Sequence, residues 1–423
     1  MRILRVINVE SFVAKIVPKQ SQKNKKIVDS IIKKVQQDGD LAIKKYEKKF
    51  SGAKLTSLRV SKKEIDNAYK KISNQEIAAI KLAKHRLMKT ESIVKSVLKN
   101  KNINTDGIKI SKKFTPIQST GCYVPGGLAK YPSSVIMSVI PAKVAGVKRI
   151  IVASPPDTSA KINPLTLVTA DICGVSEIYK VGGAQAIAAL SFGTKSIPKV
   201  DKIVGPGGAF VTMAKSLISD KTAIDMLAGP TELGIIGDDS TNPEYVALDL
   251  ISQSEHSKDT FCFLITNSEK LANSVNQIIK SLIPKIERSK FVKSSLTQNG
   301  FIAVCKNKSD MIKLANELAP EHLQIMTKNP QNLASKIRSS GLILIGNYSP
   351  SSASDYIFGS NHILPTNGFG KTRGSLSALD FIKIDTQVTS TKASLSKISK
   401  FLDVFTNAEG LPNHFEAVRG RLK

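Results

Sequence analysis

From about residue 119 onward, short β-branched runs alternate with helical stretches and glycine turns, and this alternation limits the fold more than any other feature. The runs at 149–153, 177–181, 199–204, 260–266, 301–305, 322–327 and 342–345 read as strands, with helices such as 133–145, 184–191 and 243–256 between them. A strand that must cross back through a helix returns parallel to its predecessor, so parallel sheets with helices on both faces are expected. The pattern occupies two stretches, roughly 120–230 and 235–375, and predicts two α/β units. A chain of 423 residues is too long for one core, which agrees. Residues 1–100 read instead as mostly helical. Ser61-Lys62-Lys63-Glu64 and Ser73-Asn74-Gln75-Glu76 each set a glutamate three residues after an N-cap serine, the reciprocal capping pattern. Beyond 380 the chain reads as helical and lysine-rich again.

The formal charge of +28 would suit a polyanionic partner. Yet the basic residues are mostly lysines scattered over many helices, tryptophan is absent, and no zinc-finger or RNP signature appears. Solvated helix faces account for that charge, and no nucleic-acid partner is expected. No apolar run reaches the roughly 18 residues that a membrane span needs. The partly apolar segment 3–13 is broken by Arg5, Asn8 and Glu10 and lacks a small-residue cleavage pattern, so a soluble cytoplasmic protein is expected. Cys122, Cys173, Cys262 and Cys305 form no CxxC pair and read as buried free thiols. Cys122 lies in a glycine-rich loop where a thiohemiacetal nucleophile is conceivable, but nothing nearby in sequence lowers its pKa, so a structural role is expected.

The five histidines are distributed unevenly. His256, His322 and His414 end the polar clusters SQSEH, PEH and EGLPNH, and His362 follows Asp355 within SDYIFGSNH; only His85, among helical lysines, looks incidental. Imidazole can exchange a proton near neutral pH or bind a metal, so a sparse supply set beside carboxylates reads as chemistry. On the helix at 243–256, Asn242 suits the N-cap and Pro243 the first position. Asp249, Ser252, Gln253 and His256 recur at i, i+3, i+4 and i+7, a polar stripe on an otherwise apolar helix. Gln253 and His256 could offer an oxygen and a nitrogen to one cation; a hydrogen-bonded helix end would explain the same stripe. Glu321-His322 falls at a helix-to-strand junction, where both side chains can enter a cleft, the histidine as a general base and the glutamate to activate water. An exposed acid beside a satisfied histidine is the plainer alternative. Glycine-rich turns at 121–127, 181–186, 204–210 and 225–232 could let backbone approach a ligand or a phosphate, though none is a GxGxxG fingerprint.

Taken together, ISQSEH at 251–256, IDMLAGPTE at 224–232, LAPEHLQI at 318–325, SDYIFGSNHILPT at 354–366 and EGLPNH at 409–414 resemble histidinol dehydrogenase. GCYVPGG and VGGAQAIAAL are similar to that family's cofactor-side loops. The resemblance spans about 120–420 and implies oxidation of L-histidinol through the aldehyde to L-histidine, reducing two NAD⁺, in the last step of histidine biosynthesis. It implies Zn²⁺ held by Gln253, His256, Asp355 and His414, the last reaching in from the other subunit of a homodimer. It makes His322 the base for the alcohol and Glu321 the activator of water. Substrate contacts would come from Thr231, Glu409 and the residues around the metal, and Tyr123 and Gln185 would contact NAD. Gly208 departs from the pattern: the family usually has asparagine there, so an amide contact to NAD is lost. His362 would orient the loop carrying Asp355.

The resemblance also implies two Rossmann-like domains, one from 19–122 with 233–376 and carrying most of the site, the other 123–232 on the cofactor side. Residues 1–18 would form a separate N-terminal segment, and 377–423 a helical tail serving the partner's site. A relative acting on another small alcohol, such as a sulfonated diol, is the nearest alternative, and a basic nucleic-acid-binding protein the alternative from another class.

Overall fold

The computed structural model describes residues 1–16, 24–126 and 130–423. Two parallel sheets organise it. In one, Glu177–Lys180, Arg149–Ser154, Ser119–Tyr123, Lys202–Val204 and Ala223–Ile224 lie side by side in that order. In the other the order is Arg2–Arg5, Phe301–Val304, Phe261–Thr266, Glu232–Gly237, His322–Met326 and Leu342–Ile345. Leaving aside the edge strand Arg2–Arg5, each sheet starts at an inner strand, builds to one side and then returns to the other, so each has a switch point. The inner strands are apolar without alternation: every residue of FCFLIT at 261–266 is buried, as a sheet covered on both faces requires. Strand–helix alternation therefore gives the two α/β units that the pattern predicts.

The helical region is also present, and both serine–glutamate capping boxes form, at Ser61/Glu64 and Ser73/Glu76. Its packing differs from the expected division. Val28, Ile31, Ile32 and Val35 of the helix Lys25–Asp38 bury against Ile187 and Leu190 of the helix Gly183–Phe192. Ile80, Ala83 and Leu87 of Asn74–Ser96 pack on the helix Pro132–Ala145. Residues 58–60 even extend the five-stranded sheet, with Val60 N donating to Ile178 O at 2.9 Å and Lys180 N to Leu58 O at 2.7 Å. The segment 25–96 thus packs with the five-stranded sheet rather than with 233–376, because that is where its apolar faces find partners. A boundary at 122/123 would also cut the strand Ser119–Tyr123. Nor do the first residues stand apart: Arg2–Arg5 forms an edge strand of the six-stranded sheet, and Val6 and Val9 join its core. The boundary at 18/19 lies outside the described residues.

A third, antiparallel sheet of Lys101–Thr105, Ile108–Pro116 and Ile382–Thr389 corrects the wholly helical reading beyond 380. After it the helices Lys392–Ala408 and Pro412–Leu422 pack on each other and leave Phe401, Val404 and Phe405 59%, 69% and 68% exposed.

Candidate active site

A cavity of about 390 Å³ opens between the two sheets. It is bounded by the loop 205–208, at the carboxyl edge of the five-stranded sheet, and by Thr231, Glu321 and His322, at the amino edge of the six-stranded one. The amino edge is populated through local chain chemistry. The helix Lys308–Leu318 ends at Ala319, in a left-handed conformation with φ of 45°, and Pro320 forbids its continuation. Glu321 and His322 therefore turn into the cavity just as the strand His322–Met326 begins. Asn242 caps the helix Pro243–Ser254 by accepting from Glu244 N at 2.9 Å. The far end of that helix brings Gln253 and, one step past it, His256 to the same place.

The polar stripe divides in two. Asp249 faces away from the cavity and accepts from Gln324 Nε2 at 2.8 Å, an internal structural bond. Gln253 is buried, and its Nε2 donates to Thr231 Oγ1 at 2.8 Å. Thr231 Oγ1 in turn donates to Glu321 Oε2 at 2.5 Å, and Glu232 N donates to the same oxygen at 2.8 Å. Gln253 Oε1 takes no hydrogen bond among the described residues.

His322 is buried between two acceptors. Its Nδ1 lies 3.2 Å from the carbonyl of Glu232, which can only accept, so that nitrogen carries a proton. Its Nε2 lies 3.1 Å from Asp355 Oδ1, and Glu321 Oε2 is 3.7 Å from Nδ1. Burial alone disfavours the imidazolium, but the carboxylates of Asp355 and Glu321 outweigh it and raise the pKa to about 9. Burial raises the pKa of Glu321 and opposes ionisation of Asp355, which His322, His362 and His256 nonetheless hold below the usual carboxylate range. Asp355 sits on the short helix Ser351–Tyr356, and its carbonyl is 2.8 Å from His362 Nδ1, the contact expected of an orienting histidine. His362 Nε2 is 3.4 Å from Ser134 Oγ on the cofactor-side unit. His256 lies at the cavity rim, open on one side, and desolvation of its ring by the surrounding protein lowers its pKa, which leaves it neutral at pH 7.

A second cavity of about 670 Å³ shares Pro125, Lys130 and Tyr131 with the first, so the two adjoin. Gln185 lines it, with Nε2 donating to Glu47 Oε1 at 2.8 Å and a buried Oε1 that has no protein partner. Tyr123 does not line either cavity; its hydroxyl accepts from Gly183 N at 3.1 Å and supports the loop from below. Gly208 does reach the first cavity wall, as the N-cap of the helix Ala209–Ile218 with φ of −70°, and a Cβ there would meet nothing within 4 Å. Gly127 of the GCYVPGG turn lies outside the described residues. Cys122 is fully buried, off both cavity walls, and burial pushes its thiol pKa up, so it supplies no thiolate.

Seven expected residues therefore line one cavity: Thr231, Gln253, His256, Glu321, His322 and Asp355, with Gly208 on the side of the five-stranded sheet. Glu409 and His414 do not join them; both are exposed on the tail of their own chain. Sequence reasoning missed three groups. Glu47, in a lysine-rich helix, is buried and accepts from Gly182 N at 2.8 Å. Glu232, within the quoted AGPTE motif, is buried behind Glu321. Lys215 and Asp225 form a buried ion pair of 2.5 Å that grips Gly205: Lys215 Nζ donates to its carbonyl, and Asp225 Oδ2 accepts from its N–H, both at 2.8 Å.

Comparison with known proteins points the same way. The sequence profile described as histidinol dehydrogenase matches residues 16–422. The histidinol dehydrogenase of Methanococcus maripaludis is 44% identical over 395 residues, covering 93% of this chain and 92% of its own length. That of Oceanobacillus iheyensis is 42% identical, covering 92% and 91%. The crystal structure of histidinol dehydrogenase from Elizabethkingia anophelis superposes with a TM-score of 0.93 at 36% identity, over 100% of this chain and 98% of that one. The chain belongs to the histidinol dehydrogenase family, NAD-dependent oxidoreductases of histidine biosynthesis.

Proposed function

We propose that the cavity oxidises L-histidinol to L-histidine in two successive hydride transfers, with Glu321 and His322 handling the protons. The observation that carries this reading is the shared wall of proton-handling groups and unpaired donors beside a second cavity large enough for a cofactor. A neutral alcohol is a poor hydride donor until a base removes its proton. His322 takes that proton as hydride leaves for the nicotinamide. Glu321 then takes a proton from the water that adds to the aldehyde, and His322 acts again when the hydrate is oxidised.

The residues fit a zinc ion. Gln253 Oε1, the His256 ring and Asp355 Oδ2 have no hydrogen bond among the described residues, and one amide oxygen, imidazole and a carboxylate form a set that zinc accepts. These three groups leave room for a fourth ligand in a tetrahedral zinc site. His414 of the partner subunit would complete it, with Glu409 of the partner subunit beside the substrate. The exposed Phe401, Val404 and Phe405 on the same tail support a homodimer, since burying them would stabilise one. Zinc, when bound, would hold the substrate's imidazole and amine. Asp355 holds the His322 ring at Nε2, and sharing its charge with a bound cation would weaken that hold and leave the imidazole free to accept a proton. The unpaired Gln185 Oε1 fits a donor on NAD, with Tyr123 supporting that loop and Gly208 facing the nicotinamide side. The domain division we favour joins 25–123 to the cofactor-side unit. No described helix is long and apolar enough to cross a membrane, and a cytoplasmic location follows from the biosynthetic role.

The test is zinc per chain together with NADH formed per histidinol consumed. One zinc and two NADH are expected; one NADH, or faster turnover of simple diols, would refute the assignment.

A further inference from the structure

Glu232 begins the central strand Glu232–Gly237 and is absent from the cavity wall, yet its main chain and side chain together make four hydrogen bonds around the proton-handling pair. Its N–H donates to Glu321 Oε2 at 2.8 Å, and its carbonyl accepts from His322 Nδ1 at 3.2 Å. In return its carboxyl accepts from Glu321 N at 3.1 Å through Oε2 and from Asn367 N at 2.8 Å through Oε1. The third of these is the informative one. Pairing between the two strands starts at His322 with Leu233, so Glu321 N lies one residue before the ladder. A buried N–H left there without an acceptor is destabilising, and the carboxyl of Glu232 supplies the missing rung.

The second carboxyl oxygen ties the same point to the loop after His362. Asn367 adopts a left-handed conformation, φ 55°, and the neighbouring Thr366 Oγ1 accepts from Gly229 N at 2.6 Å. One side chain therefore fixes the backbone of Glu321 against two loops that line the cavity. The bonds to Glu321 run both ways: each glutamate accepts from the main chain of the other, so neither side chain can rotate alone.

We propose that Glu232 is a positioning residue for the reaction: its carboxyl sets the backbone of Glu321-His322 and holds both groups in reacting register without touching substrate. The proposal rests on the reading of Glu321 and His322 as the proton-handling pair. Glu232→Gln keeps the size of the side chain but can satisfy only one of the two N–H groups, because its amide nitrogen is a donor. A displacement of Glu321 approaching 1 Å would slow the reaction on the order of a hundredfold.

The experiment uses the zinc-loaded full-length enzyme and measures kcat for histidinol and for histidinaldehyde, the Kd of histidinol by calorimetry, and zinc content. Expected for E232Q is a fall in kcat of about ten- to a hundredfold, with Kd changed less than about threefold and zinc unchanged. A kcat within about twofold of the unsubstituted enzyme overturns the proposal. So does a parallel loss of kcat, Kd and zinc, which marks a role in folding alone. Should E232Q fail to fold, Glu232→Asp, which keeps both acceptors but draws them back by one methylene, is judged by the same criteria. Glu321→Gln and His322→Ala are measured alongside. If those two turn over normally, the proton-handling assignment has failed; if they are inactive and E232Q is not, only Glu232 has been misjudged.

Discussion

Lys215→Met tests the clamp that shapes the cofactor side of the cavity. The Lys215 and Asp225 side chains are 3% and 0% exposed and 2.5 Å apart, so water screens neither charge. Methionine preserves the length and most of the volume of lysine while deleting its charge, leaving Asp225 with the N–H groups of Gly205 and Met226 but without a cation. Removing one partner of such a pair costs about 3–5 kcal/mol. The pair lies wholly within the five-stranded unit, and in a unit of that size the loss lowers Tm by roughly 6–20 °C. The first thermal transition of the variant, followed by calorimetry, reads this directly. Gly205 is the functional link. A Cβ there would approach Tyr123 O at 2.1 Å and φ is 112°, so the loop has little freedom except through the clamp, and KM for NAD should rise severalfold. Lys215→Met/Asp225→Leu removes both charges and should recover a large part of the lost stability but not the NAD affinity, because Gly205 N stays unpaired. A single variant that melts within about 2 °C of the parent would show that the pair is not an ionic clamp, and the loop argument would fall with it.

Glu321→Gln retains an oxygen for Thr231 and Glu232 N, so the fold should persist while aldehyde oxidation slows by about 10²–10⁴-fold; stopped-flow traces with histidinol and with the aldehyde separate the steps, and equal slowing of both contradicts the water-activating role. Gly208→Asn meets no steric obstacle at φ −70°, so it should fold normally and lower KM for NAD severalfold; an unchanged or raised KM would show that the side chain does not reach the cofactor. In chelator-stripped protein, His322 has its pKa raised from 6.5 to about 9. Its contribution to stability, at most about 3 kcal/mol and shared with its carboxylate neighbours, is complete below about pH 6.5 and lost as pH rises through 9. A Tm that does not fall over that window, or falls equally in His322→Gln, excludes the imidazolium.

What could be read in the sequence depended on whether the signal was local. FCFLIT at 261–266 announces a buried strand by itself, and so do serine–glutamate caps. STGCY at 119–123 and ELGIIG at 232–237 do not, because small residues sit where backbone or aromatic neighbours press close; a Cβ on Gly234 would meet Phe263 at 2.7 Å. The strand Ile382–Thr389 was hidden for another reason. Ile384 and Val388 are more than half exposed in the single chain, so the segment lacks the burial pattern of a core strand. Within the site, Gln253, His256, Glu321, His322 and Asp355 stood out as polar groups among apolar ones. Glu47 and Glu232 could not, since what distinguishes a buried carboxyl from a surface one is its partner, and Gly182 lies 135 residues from Glu47 along the chain.

The two sheets meet the cavity with opposite edges, and this sorts the ligands by charge. At the carboxyl edge of the five-stranded sheet, the helices Gly183–Phe192 and Ala209–Ile218 begin, and neither has a side-chain cap. The start of Ala209–Ile218, with its positive dipole end toward the cavity, would suit an anionic group of a dinucleotide, whereas at the start of Gly183–Phe192 the N–H groups of Gly182 and Gly183 are already held by Glu47 and Tyr123. At the amino edge of the six-stranded sheet, helices end instead. Pro243–Ser254 points its negative end at the cavity beside Gln253 and His256, where a cation is favoured and an anion is not. A single sheet used in the ordinary way, at its carboxyl edge, would offer only the first kind of site. Setting the amino edge of a second sheet against it would place a metal and a cationic substrate within reach of a polyanionic cofactor, each near a helix terminus whose charge suits it. The absence of a GxGxxG turn is then no obstacle to the NAD dependence of the family, since an uncapped helix start such as that at Gly208 would offer N–H groups to a phosphate without one.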